Sequence, residues 1–159
     1  MRIIGIDPGT TRIGFGIVDY ENSKFSPVKF GIIKNLKKDN SYSLVLAEKE
    51  ILKLVKEYKP TLAGIEKLFF FNNQRTVMAV SEMRGVLLLA LTKAGLPIVE
   101  PTPLQVKQGL SGYGKADKTQ VQKMVRMLLG IQEEIRPDDA ADALAIAICV
   151  ANNYTPIIK

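Results

Sequence analysis

Three stretches of the chain each place an acid where an apolar side chain would be the stabler choice. The first is Arg2 to Thr11, RIIGIDPGTT. Ile3, Ile4 and Ile6 form a β-branched run that Pro8 and Gly9 end as a turn, which predicts a buried strand with Asp7 at its end. A strand covered on both faces leaves a carboxylate no solvent, so Asp7 needs a cation, hydrogen-bond donors or an edge position. The plainer alternative is an Asp that only caps the Pro-Gly turn. The second stretch is Thr61 to Leu68, TLAGIEKL, where Glu66 interrupts an apolar strand pattern; here the plainer alternative is an edge strand with Glu66 in water. The third opens at Asp138, DDAADALAIAICV. Asp139 and Asp142 stand three residues apart on a predicted helix, about 60° apart around its axis, and so share a face. That face continues through Ala143, Ile146, Cys149 and Val150, so Asp142 points where a core side chain would. The preference of acids for a first helical turn covers Asp138 and at most Asp139, but not Asp142.

One site accounts for all three acids. Carboxylates held about 4 Å apart repel by about 4 kcal/mol at an effective dielectric of 20, so a cluster requires cations. The chain contains no histidine. That excludes a Ser or Cys nucleophile with a His base, and it excludes His-ligated zinc. Hard oxygen ligands favour Mg²⁺ or Mn²⁺. The matching chemistry is phosphodiester hydrolysis, in which two ions roughly 3.5 to 4 Å apart activate water and stabilise the leaving oxygen. A net charge of +6 favours anionic partners such as nucleic acid, although ordinary solvated lysines also produce such an excess.

The elements that must position these acids follow from periodicity. With 159 residues, 47% hydrophobic and 24% charged, the chain is expected to fold as a single domain over 1–159. Its apolar runs are too short to span a bilayer and its start lacks a signal-peptide layout, so a soluble, cytoplasmic protein without a membrane partner is expected. The lone Cys149 sits between Ile148 and Val150 as a small buried hydrophobe. After the first strand, Arg12 to Asp19 and Phe25 to Ile33 read as two more, completing an antiparallel meander. Ser41 to Tyr58 has helical spacing and stops at Pro60; Thr61 to Leu68 follows as a strand, and the strand, helix, strand order implies a parallel pairing. Thr76 to Ala94 is a long helix, Ile98 to Glu100 a last strand, and Thr102 to Gly109 a short helix. The glycine-containing loop Ser111 to Asp117 carries Lys115, a basic helix spans Lys118 to Leu129, and Pro137 opens a helix from Asp138 to about Asn153. The order βββαβαβαα is an α/β fold: a five-stranded mixed sheet, three strands antiparallel and then two parallel, flanked by helices. In outline it resembles the ribonuclease H-like architecture.

Four strings in this order, GIDPGTTRIGFGIVD, GIEKLFFFNN, QVKQGLSGYGKADKTQVQKMV and DDAADALAIAI, resemble the RuvC family of bacterial Holliday junction resolvases over nearly the whole chain. The resemblance implies a homodimer that makes paired, Mg²⁺-dependent nicks in four-way DNA junctions and works with the RuvA and RuvB branch-migration proteins. It assigns catalysis and metal binding, with Mn²⁺ as an alternative ion and two ions during the reaction, to Asp7, Glu66, Asp139 and Asp142. Asp138, just ahead of the helical pair, leaves open which neighbour faces the metal. It places phosphate-holding lysines at Lys107 and Lys118 and a base-stacking aromatic at Phe69, with Phe70, Phe71, Arg75 and Lys115 as further candidates for the DNA surface.

Each assignment has a plainer counterpart. Three phenylalanines in a row usually include core residues, and Lys107, Lys115, Lys118, Lys123 and Arg126 also read as a solvated helix face. The helix Thr76 to Ala94 is apolar nearly all round, and the surplus over one buried stripe is a candidate dimer face. Rival functions share parts of the pattern. GIDPGTT also looks like the phosphate turn of actin-like ATPases, but no second glycine-rich turn accompanies it. The pre-16S ribosomal RNA nucleases share the fold and opening strand, while the Lys107 to Lys118 block and the DAADALAIA ending favour the resolvase. A basic, non-catalytic DNA-binding module is the remaining rival.

Overall fold

Alternation along the strands sends one set of side chains to each side of the sheet, and each side has its own core. The computed structural model describes residues 1–34, 40–68 and 74–153, and their side chains except those of residues 40 and 74–76. β1 (Arg2–Asp7), β2 (Arg12–Glu21) and β3 (Lys24–Lys34) form the antiparallel meander. The β2–β3 hairpin turns on Asn22 and Ser23, both at positive φ, which matches the right-handed twist of the strands it joins. After α1 (Asn40–Tyr58), β4 (Leu62–Ile65) pairs in parallel with β1; after α2 (Gln74–Lys93), β5 (Ile98–Val99) pairs in parallel with β4. The five-stranded order is β3-β2-β1-β4-β5, the predicted mixed sheet.

Ile4, Ile6, Ile13, Phe15, Ile17, Ala63 and Ile65 meet Met83, Leu87 and Leu91 of α2 and Ile51 of α1 on one side. Ile3, Val18 and Leu62 face the other side, which α5 (Asp138–Asn153) covers with α3 (Pro103–Ser111) and α4 (Lys118–Leu129). By the same alternation Asp7, two steps beyond Gly5, and Glu66, two beyond Gly64, belong to the α5 side.

α5 lies unusually close to the sheet. Gly16, Gly5 and Gly64 are partners in register across three adjacent strands. A Cβ on Gly5 would stand 2.1 Å from the Ala143 carbonyl oxygen, and one on Gly14 2.0 Å from that of Asp139. At Gly5 and Gly14 the helix backbone therefore rests on strand backbone, while Gly64 receives the Val150 and Ile146 side chains. With α3 and α4 against it as well, α5 is buried all round from Ala140 to Ala151 except at Asp142, where one apolar face had been expected. The predicted strand Thr61 to Leu68 is also shorter: β4 covers Leu62–Ile65, the four residues that pair with Ile3–Ile6 of β1. Glu66 sits one residue past the ladder.

Candidate active site

Asp7 ends β1 and Glu66 follows β4, with Ile6 and Ile65 paired immediately before them. Neighbouring strands run about 4.8 Å apart, so the register alone makes these carboxylates neighbours. α5 delivers Asp142 to the same point. A cleft of about 220 Å³ is lined by Asp7, Glu66 and Asp142, by Lys107 and Lys118, and by an apolar wall that includes Val106, Val121 and Ile146.

Its electrostatics are those of acids short of positive charge. Burial raises the Asp7 pKa to about 6, with the charges of Asp142 and Asp139 adding to the effect and Lys118 opposing it. Burial likewise raises Glu66 to about 7, helped by Asp7 and Asp142 and opposed by Lys107. Asp142 is also raised, chiefly by burial, against the pull of Lys118. The Lys118 ammonium lies 3.1 Å from Asp138 Oδ2 and 3.2 Å from Asp142 Oδ2. Burial acts to lower the Lys118 pKa, but these two acids outweigh it and raise it.

Local caps fix the lysines. Thr102 caps α3 in a reciprocal box with Gln105, and Asp117 caps α4 in the same way with Gln120. Lys118 is thereby the first residue of α4, beside the start of α5. Between the helices, Gly112 takes a left-handed cap and the Ser111 hydroxyl accepts from the Tyr113 amide.

Not every predicted residue enters the cleft. Asp139 stands at its edge, 3.4 Å from Arg12 Nε, although its charge still reaches Asp7. Asp138 is exposed and its pKa is lowered by its hydrogen bond with Lys118, so of the acids on α5 it is Asp142 that lines the cleft. Lys115 is exposed in the α3–α4 loop, away from the cleft lining. Phe69, Phe70 and Phe71 lie outside the described residues, as does the side chain of Arg75 at the start of α2. Sequence reasoning missed Arg12, whose only signal was its place just after the GIDPGTT turn.

A divalent cation fits this donor set in kind: oxygen ligands only, crowded enough to hold protons near neutrality. Among the described residues no three acids already stand at metal-holding spacing. Lys118, bridging Asp138 and Asp142, supplies the compensating charge instead.

The sheet order, the crossovers and the acid-lined cleft at the strand ends define a protein of the ribonuclease H-like class. A family model described as "Crossover junction endodeoxyribonuclease RuvC" matches residues 3–150. The chain belongs to the RuvC family. It is 49% identical over 152 residues to the crossover junction endodeoxyribonuclease RuvC of Thermosipho melanesiensis, covering 95% of this chain and 97% of the relative. It is 46% identical over 150 residues to that of Caldanaerobacter subterraneus, covering 94% and 91%. Among solved structures, Thermus thermophilus RuvC superposes with a TM-score of 0.88 at 33% identity, covering 96% of this chain and 94% of that one. The match includes both the Lys107 to Lys118 block and α5, so neither the ribosomal RNA nuclease nor the ATPase alternative is favoured.

Proposed function

We propose that this chain is a crossover junction endodeoxyribonuclease that resolves four-way DNA junctions by paired symmetric nicks, in homologous recombination and DNA repair. The observation that carries the reading is the likeness, at TM-score 0.87 and 31% identity over 96% of this chain, to T. thermophilus RuvC in complex with Holliday junction substrate. The meeting of Asp7, Glu66, Asp142, Lys107 and Lys118 in one cleft supports it independently.

Asp7, Glu66 and Asp142, with Asp139 at the rim, are the residues that would hold Mg²⁺ or Mn²⁺. Two such ions, when bound, supply Lewis acidity to the attacking water and to the departing oxygen. Lys107 and Lys118 present ammonium groups to the scissile phosphate as point charges. The apolar wall of Val106, Val121 and Ile146 excludes bulk water from one side of the cleft and strengthens these interactions. Phe69, Arg75 and Lys115 belong to the wider DNA surface.

The active form is a homodimer, which matches the two-fold symmetry of a junction. Along α2 one stripe, Met83, Leu87 and Leu91, is buried, while Met78 and Leu89 on the other side are 69% and 52% exposed around the open Gly85. That uncovered apolar stripe is the dimer surface. The protein is cytoplasmic, folds as one ribonuclease H-like domain over 1–159, and acts with RuvA and RuvB.

Purified protein with Mg²⁺ is offered a four-way junction, linear duplex, structured RNA and ATP. Paired nicks on the junction alone are expected. ATP turnover, or RNA cutting that leaves the junction intact, refutes the reading. Light scattering gives the dimer, and a monomer at assay concentration removes the α2 interface.

A further inference from the structure

Glu66 lies just past the end of the β4 ladder, so strand pairing does not hold it. Two other bonds do. The Glu66 carbonyl accepts from Arg84 Nε of α2 at 3.0 Å, and the next amide, Lys67 N–H, donates to the Pro101 carbonyl at 2.9 Å. The peptide group that follows the acid is thus tied on its oxygen side to a helix and on its nitrogen side to the segment after β5. Arg84 is itself fixed: it is 16% exposed, and its Nη2 is paired with Glu100. An arginine fork suits this task, because one nitrogen grips the carbonyl while another is anchored elsewhere.

From this geometry we infer that Arg84 is a positioning residue, setting the place of the Glu66 carboxylate through its backbone and making α2 part of the active-site frame. The inference rests on the proposed reading of Glu66 as a metal-holding acid. Arg84 is not among the residues that line the cleft. Without it, the carbonyl loses a partly buried donor and the residue bearing the acid is held on one side only. Groups that orient metal ligands typically change metal affinity about 10- to 100-fold when removed, and misplacement of a reacting group by about 1 Å costs about 100-fold in rate.

The test compares the full-length parent with R84M, which keeps the bulk and loses the donors, and with E100Q, which removes the ion pair and leaves the Nε to Glu66 bond. Mn²⁺ binding is measured by calorimetry without DNA, and kcat and KM on a four-way junction are measured separately. R84M is expected to bind Mn²⁺ about 10-fold more weakly or worse. Its kcat falls by about 100-fold while KM stays within about threefold. E100Q, which loosens the anchor and keeps the grip on the carbonyl, is expected to fall between the parent and R84M in Mn²⁺ affinity. R84M with parental Mn²⁺ affinity, or E100Q more impaired than R84M, overturns the inference. Should R84M fail to fold, R84K replaces it, with a partial loss of Mn²⁺ affinity expected and parental affinity overturning the inference. A parent that neither binds Mn²⁺ nor cuts the junction overturns the reading of the site beneath it.

Discussion

Replacing Asp7 with Asn should make the protein more stable in chelator and inactive. In the folded state Asp7 holds its proton up to about pH 6, against an ordinary value of 3.8. Between those values the native state binds more protons than the unfolded one, so stability falls as pH rises through this window and stays low above it. A shift of about 2 units corresponds to about 3 kcal/mol at pH 8, and Glu66, raised to about 7, extends the decline toward neutrality. The two costs overlap, because Glu66 is raised partly by the charge of Asp7. Asn at position 7 removes the charge but keeps a buried polar group, so a gain of about 2 to 3 kcal/mol at pH 8 is expected, vanishing near pH 4. For a chain of this length that is about 5 to 10 °C in melting temperature. Calorimetric melts of parent and variant in EDTA from pH 4 to 8.5 measure it. Mn²⁺ should raise the parent's melting temperature more than the variant's. The variant should still bind junctions without nicking them. A variant no more stable than the parent at pH 8, or a difference that does not change with pH, would mean that Asp7 is neither desolvated nor crowded by Asp142 and Asp139 as the structure has it.

Lys118→Met should reduce cleavage sharply while moving the melting temperature by no more than about 3 °C, since its half-exposed ion pairs contribute at most about 1 kcal/mol; a large thermal loss with normal nicking would make Lys118 structural. Gly5→Ala puts a Cβ 2.1 Å from the Ala143 carbonyl oxygen and should cost about 3 kcal/mol or more together with activity, whereas Gly31→Ala, 3.3 Å from the edge of the Phe15 ring, should be tolerated; thermal melts and nicking assays on the pair decide. The Arg2 fork on Asp19, with both bonds at 2.8 Å, holds the Asp19 carboxyl below its usual range. Its contribution, under about 1 kcal/mol for so exposed a pair, is present above about pH 4 and is lost as pH falls through the depressed value; Asp19→Asn should therefore converge with the parent in acid melts.

The acids were readable in the chain because each breaks a local pattern: Asp7 ends an isoleucine run, Glu66 interrupts an apolar strand, and Asp142 sits on a helix face that is otherwise core. The mixed sheet followed from the alternation of strands and helices, since a helical crossover joins parallel strands. What could not be read depends on pairing between distant segments. Nothing in single glycines at 5, 16 and 64 says that they will stand side by side, because register is a tertiary property. Arg84 is 18 residues from the carbonyl it holds, and nothing in its own helix distinguishes it from a surface arginine. The shortened β4 reflects its pairing with β1, which ends at Ile6 and Ile65.

Gly5 and Gly14 decide how the acid from α5 is spaced from the acids of the strands. A helix seated on side chains can settle or lift as those side chains change rotamer, but one seated on main chain is stopped by the radii of backbone atoms. The sheet therefore acts as a hard gauge for the Asp7 to Asp142 separation. Loosening the isoleucine and leucine layer on the far side of the sheet would soften the protein while leaving that gauge intact, so tolerance to core substitution should differ between the two sides of one sheet.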